Sequence, residues 1–204
     1  GDLLLDSAES AVDFCDLYAA IGGSLTISAP DMDDLDDIAC LTYLGGSLTI
    51  DAEAGITTAA LNALRYVGGD IWIENTPITD LSLDVLRDLL GDLTIKENTH
   101  LQVLSYGAGS KPEEDIQIQG SAAFINNSSL EEVLFSVDTV GGTLLFDSDG
   151  IDPGATFELQ APFVSQLGGL TLSETSAAIT LAWIPADTEL SIDRVEVTNT
   201  EIFP

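Results

Sequence analysis

The sequence predicts a mainly β fold, a parallel β-solenoid of about nine turns forming a single domain over residues 1–204, with short helices between the early strands. Three observations predict it. An apolar-x-apolar triplet recurs at intervals in the twenties, a Gly-Gly pair stands just before most of these triplets, and 45% apolar residues supply a continuous core despite a formal net charge of −30.

The triplets, in chain order, are Leu3-Leu4-Leu5, Leu25-Thr26-Ile27, Leu48-Thr49-Ile50, Ile71-Trp72-Ile73, Leu93-Thr94-Ile95, Ile116-Gln117-Ile118, Leu144-Leu145-Phe146, Leu170-Thr171-Leu172 and Val195-Glu196-Val197. Their spacings are 22, 23, 23, 22, 23, 28, 26 and 25 residues. Such a period marks a solenoid, in which each turn buries its apolar side against its neighbours. Within a triplet the side chains alternate inward, outward, inward, as in a short strand with one buried face.

Gly22-Gly23, Gly45-Gly46, Gly68-Gly69, Gly141-Gly142 and Gly168-Gly169 each follow an apolar residue and precede a triplet, which places a chain corner there. Glycine is expected at such corners for its access to φ values that other residues avoid. Gly91 stands alone before its triplet, and the corners before Ile116 and Val195 carry no glycine. Between early strands, Ile56, Ala60, Leu64 and Val67 fall at helical spacing, as do Leu83, Leu86 and Leu90. The run PDMDDLDDI, with Asp31, Asp33, Asp34, Asp36 and Asp37, suits a solvated helix N-terminus. Beyond residue 115 the connections lengthen and read as short strands or loops. The stretch YGAGSKPEE, residues 106–114, reads as a surface loop through which the period continues at 23, so one continuous domain is expected.

The segments GGSLTI, GGDIWI, GDLTI, GGTLLF and GGLTL together resemble the receptor L-domain-like and leucine-rich-repeat group. The resemblance implies a right-handed solenoid whose parallel sheet faces a ligand, in a secreted or cell-surface protein that binds or adheres. An extracellular or cell-surface location and a protein or glycan partner follow from it as expectations. The chain departs from a standard leucine-rich repeat in lacking a regular asparagine ladder after the strand, with Asn75 and Asn98 as isolated cases.

The 35 acidic against 5 basic residues argue against nucleic acid and anionic membrane surfaces as partners, because the field repels phosphate. No apolar run approaches the roughly 18 residues of a membrane span. The opening Gly1-Asp2 is what a processed chain would present. Cys15 and Cys40 lie 25 residues apart where the local period is 23, so they share an angular position on adjacent turns and are expected to form a disulfide.

The candidate binding site is on the outward column. Trp72 stands where sibling turns carry Thr49 and Thr94, bordered by Asp70, Glu74, Asp92 and Lys96. An indole flanked by carboxylates and hydroxyls can stack on a sugar face or anchor a protein interface. No cofactor is expected; the corner aspartates read first as solvated caps of the glycine turns, and calcium is the alternative. Two sets of carboxylates are candidates for it: the column Asp70, Asp92 and Asp115, and the stretch DSDGID with Asp147, Asp149 and Asp152 around a glycine. The latter lacks the distal bidentate glutamate of an EF-hand loop. Asn126-Asn127-Ser128-Ser129 contains overlapping glycosylation sequons and reads as a turn. With one histidine and neither a nucleophile elbow nor a phosphate loop, catalysis is not expected. An acidic glycosidase working through carboxylates is the enzyme alternative, and a structural subunit assembling end to end is the other.

Overall fold

The computed structural model describes residues 1–51, 54–107, 115–147, 149, 157–160, 166–173, 176–180, 191–192, 195–198 and 201–202. It is a β-solenoid built of parallel strands. Leu3 pairs with Leu25, Leu25 with Leu48, Leu48 with Ile71 and Ile71 with Leu93, so the triplets stack as the sequence period requires. A second column of two-residue strands runs alongside, through Ala20–Ile21, Tyr43–Leu44, Tyr66–Val67, Asp88–Leu89 and Gln117–Ile118. Strand Thr139–Asp147 passes straight through the corner between the columns and joins both into one sheet. A separate parallel sheet runs from Thr58–Ala60 through Asp80–Leu83, Val103–Tyr106 and Glu132–Phe135.

The sixth triplet lies elsewhere than its apolar alternation suggests. Leu93 pairs with Ala122 and Ala122 with Leu144, so the stacked strand is Ala122–Ile125, while Gln117–Ile118 belongs to the corner column. The register therefore advances 22 residues from Ile71 to Leu93 but 29 from Leu93 to Ala122, so the period of 23 does not continue there; the loop expected over 106–114 lies, from residue 108 on, outside the described residues. Asp115-Ile116-Gln117-Ile118 imitates an acceptor followed by a triplet. The decisive feature is Gly120, which takes the place of Gly91 and Gly142 one turn away.

Helix is scarcer than the spacing of apolar residues predicts. Described helical segments are Ala8–Ala11, Phe14–Leu17 and one 3₁₀ turn, Asp36–Ile38, where the acidic run was expected to start a helix. Ala8–Ala11 starts at Ser7, whose hydroxyl accepts from Ser10 N–H while the Ser10 hydroxyl accepts from Ser7 N–H. Over 58–67 and 80–90 the chain forms strands and corners, burying Ala59, Leu61, Leu64 and Val67, then Leu81, Leu83, Leu86 and Leu89. Bends between short strands bring every third or fourth residue back to the interior, which imitates helical spacing.

The corner glycines answer to stacking, with no need for unusual torsion. Gly107 is the one glycine among the described residues in the left-handed region, with φ 73°. At Gly45, by contrast, a Cβ would lie 2.6 Å from the Gly22 carbonyl oxygen of the turn before. Backbone meets backbone there, with Gly45 N–H donating to Ile21 O at 2.8 Å and Gly46 N–H to Gly23 O at 2.8 Å. Left-handed geometry appears instead just after the strands, at Asn75, Glu97 and Asn126, with φ 53°, 57° and 57°.

The interior is a continuous apolar column. Leu25, Ile27, Leu48, Ile50, Ile71, Leu93, Ile95, Phe124 and Phe146 are fully enclosed, and the last two rings stack at 4.8 Å. The expected disulfide is present between Cys15 and Cys40, tying the first turn to the second with Cα atoms 5.7 Å apart.

Candidate functional site

Burial of Ile71 and Ile73 forces Trp72 outward on strand Ile71–Glu74, since successive side chains alternate faces. The residue is 41% exposed. Thr49 and Thr94 are its direct neighbours on the two adjoining strands, in the register expected from sequence. The outward column reads Leu4, Thr26, Thr49, Trp72, Thr94, Ala123, Leu145 and Thr171, with Ala123 where the expected register placed Gln117.

A polar chain fixes the indole edge. Trp72 Nε1–H donates to Glu74 Oε2 at 2.9 Å, and Lys96 Nζ donates to the other oxygen, Oε1, at 2.7 Å. Lys96 also meets Glu97 Oε1 at 3.2 Å. The Lys96 hydrogen bond, and then that from Trp72, holds the Glu74 carboxyl below its ordinary pKa, and the same Glu74 contact raises that of Lys96. The result is a partly exposed aromatic plane held at its edge. Such a plane can stack on the apolar face of a ring, with Thr49 and Thr94 hydroxyls beside it to exchange hydrogen bonds. Across the Gly-Gly corner, Tyr43 and Tyr66 stack face to face at 4.7 Å, an aromatic pair that the sequence analysis missed. Its signal was available, since both tyrosines immediately precede the apolar residue before Gly-Gly.

Asp70 and Asp92 border this face and carry out a structural task. Ser24 N–H donates to Asp2 Oδ1 at 2.8 Å, Ser47 N–H to Ser24 Oγ at 3.1 Å, and Asp70 N–H to Ser47 Oγ at 3.0 Å. The same rail continues with Asp92 N–H to Asp70 Oδ1 at 2.9 Å, Ser121 N–H to Asp92 Oδ1 at 2.7 Å and Thr143 N–H to Ser121 Oγ at 3.1 Å. Each corner side chain accepts the amide of the next turn. Asp115 is no part of this column, because Ser121 occupies the place next to Asp92. The expected three-aspartate ladder is therefore two carboxylates followed by a hydroxyl.

A second rail lies inside. Thr76 N–H donates to Asn98 Oδ1 at 2.9 Å, Asn98 N–H to Asn127 Oδ1 at 3.1 Å, and Asn127 N–H to Asp149 Oδ1 at 2.8 Å. All four residues are buried. The chain thus has a ladder after its strands, contrary to the expectation of isolated asparagines, and it was hard to see because the position alternates among Thr, Asn and Asp. Asn127 of the sequon run is enclosed, whereas Asn126 is exposed. Of the DSDGID stretch, Asp149 is fully buried with Oδ1 committed to Asn127, Asp147 lies on the outer face, and Asp152 lies outside the described residues. Among the described residues no three carboxylate, cysteine or histidine side chains are grouped to hold a metal ion. Nor does any helix among them have the length and apolarity to cross a membrane.

Comparison with models of known protein families, with curated proteins and with solved structures finds no match.

Proposed function

We propose that the chain is a non-enzymatic binding or adhesion module of the secreted or cell-surface type, presenting the sheet face around Trp72 to a protein or glycan. The observation that carries this reading is Trp72 itself, a tryptophan 41% exposed in a column otherwise without an aromatic side chain, with its edge already hydrogen-bonded. Thr49, Thr94, Asp70, Glu74, Asp92 and Lys96 complete the contact surface. A right-handed coil of nine turns of the receptor L-domain type is part of the same proposal, supported by the GGxLxI segments and the parallel register. The disulfide is compatible with an oxidising, extracellular setting.

The test is a binding screen on immobilised glycans and surface proteins with the chain and its Trp72→Ala variant. A ligand that binds the parent and is lost by about 2 kcal/mol or more in the variant, at equal melting temperature, is the expected result. A ligand indifferent to the change places binding elsewhere. End-to-end assembly is the second reading, favoured by the exposed Val12 and Leu17 of the first turn, at 58% and 70%. Light scattering that stays monomeric at high concentration refutes it.

A further inference from the structure

The inner rail repeats a donor as well as an acceptor, and Asp149 breaks the pattern. Asn98 stands three residues after Ile95, Asn127 three after Phe124 and Asp149 three after Phe146, and these strand residues are paired in register. Asn98 Nδ2–H donates to Ile73 O at 3.1 Å, and Asn127 Nδ2–H donates to Ile95 O at 3.0 Å, in each case the strand carbonyl of the preceding turn. The equivalent carbonyl for Asp149 is that of Phe124, partner of Ile95 and Phe146. Where the asparagines carry an amide nitrogen, Asp149 has Oδ2, enclosed and with no hydrogen-bond partner. Its other oxygen already accepts from Asn127 N–H at 2.8 Å and Nδ2–H at 2.9 Å.

Two oxygens cannot hold this place without a hydrogen between them, and a buried, unpaired carboxylate costs several kcal/mol. We propose that Asp149 is held as a neutral carboxylic acid that donates from Oδ2 to the Phe124 carbonyl, standing in for asparagine and making this position of the inner rail a pH-sensitive latch. Raising the pH removes one proton to solvent and leaves a carboxylate facing a carbonyl. Asp149 must then leave the rail for water. Around the group, Asn127 and Asn98 of the preceding turns are uncharged, strand Ala122–Ile125 turns Ala122 and Phe124 inward, and the titrating neighbour among the described residues is Asp147, at the end of strand Thr139–Asp147. Burial first, and the Asp147 charge with it, push the Asp149 carboxyl up to about 7 against the opposing hydrogen bonds from Asn127 and from the Asp147 backbone.

The experiment compares urea unfolding of the chain and its Asp149→Asn variant from pH 4 to pH 9. Asparagine supplies the donor at every pH. The ratio of the two unfolding constants should rise about tenfold per pH unit between roughly 4 and 7, in favour of the variant, and level off above. A ratio independent of pH, or a variant less stable than the parent at pH 8, overturns the assignment. Carbon-13 NMR of the parent's carboxyl groups gives a reading free of mutation: Asp149 should titrate near neutrality, and titration with ordinary aspartates near pH 4 overturns it. Calcium that stabilises the parent at pH 8, with no effect on the variant, would replace the proton by a cation and overturn it equally.

Discussion

Gly45 and Gly22 occupy equivalent corners, yet adding one methyl group to each should have opposite effects. At Gly45 the new Cβ lies 2.6 Å from Gly22 O and 3.0 Å from Gly22 C, both backbone atoms that no rotamer change can move. Restoring ordinary contact, about 3.4 Å, needs roughly 0.8 Å of separation between turns. The flanking hydrogen bonds, Gly45 N–H to Ile21 O and Gly46 N–H to Gly23 O, both 2.8 Å, would lengthen to about 3.6 Å, beyond useful range. Two such bonds at about 1 kcal/mol each, with some loosening of Leu44 in the core beneath, make Gly45→Ala destabilising by about 2–4 kcal/mol. At Gly22 a Cβ meets nothing within 4 Å, and the backbone is outside the left-handed region. Gly22→Ala should therefore be neutral or stabilise by up to about 1 kcal/mol, through the lower entropy of the unfolded chain. Urea denaturation midpoints of the two variants decide it. Equal losses at both corners would refute the stacking argument and return the glycines to a torsional role.

Removing the disulfide with Cys15→Ser and Cys40→Ser should lower stability by about 3–4 kcal/mol, as expected for releasing a loop of this size, measurable by the same denaturation and mimicked by reductant. Glu97→Gly should stabilise by about 1 kcal/mol, because φ 57° is costly for glutamate and its exposed contact with Lys96 is worth little; an unchanged midpoint would mean that contact outweighs the strain. Trp72→Ala should leave the midpoint within about 1 kcal/mol, since the side chain points away from the core and is 41% exposed; a loss of 3 kcal/mol or more would make it a packing group and remove the basis for the binding face. For Asp149 the raised folded pKa means that its stabilising contribution is complete below the unfolded value near 4 and lost as pH rises toward about 7, a change of roughly 4 kcal/mol across that window.

The period and the inward-outward alternation were legible because they are what a solenoid demands of every turn, and Ile71, Trp72 and Ile73 fell where three letters of sequence placed them. The disulfide was legible from the same period. The sixth turn misled because Asp115-Ile116-Gln117-Ile118 satisfies the local pattern as well as Ser121-Ala122-Ala123-Phe124 does. The choice between them depends on stacking against Leu93 and Leu144, a contact between turns that no window of ten residues contains. Helical spacing misled for a related reason, since corners and helices both return side chains to one face every three or four residues. The inner rail was hidden by its mixed lettering: Thr76, Asn98, Asn127 and Asp149 share a geometric job, accepting or donating to the neighbouring turn, which only the register reveals.

These devices also say where function has room. Cohesion between turns is carried by the apolar column, by the Gly-Gly corners where backbones touch, and by two rails of side chains that accept the next turn's amides. Each of those positions constrains its residue: a methyl at Gly45 or the loss of the acceptor at Asp92 disturbs a neighbouring turn. The outward column through Thr26, Thr49, Trp72, Thr94 and Ala123 carries none of these burdens, since its strands are joined through backbone and its side chains point away from the core. Its residues are free to differ from turn to turn at little cost in stability. A tryptophan there, 41% exposed, stands outside the apolar column, and it is this freedom from the fold's own demands that the proposed binding face draws on. That asymmetry, strict at the corners and permissive on the face, is why the sequence repeats where it holds itself together and departs from the repeat at Trp72.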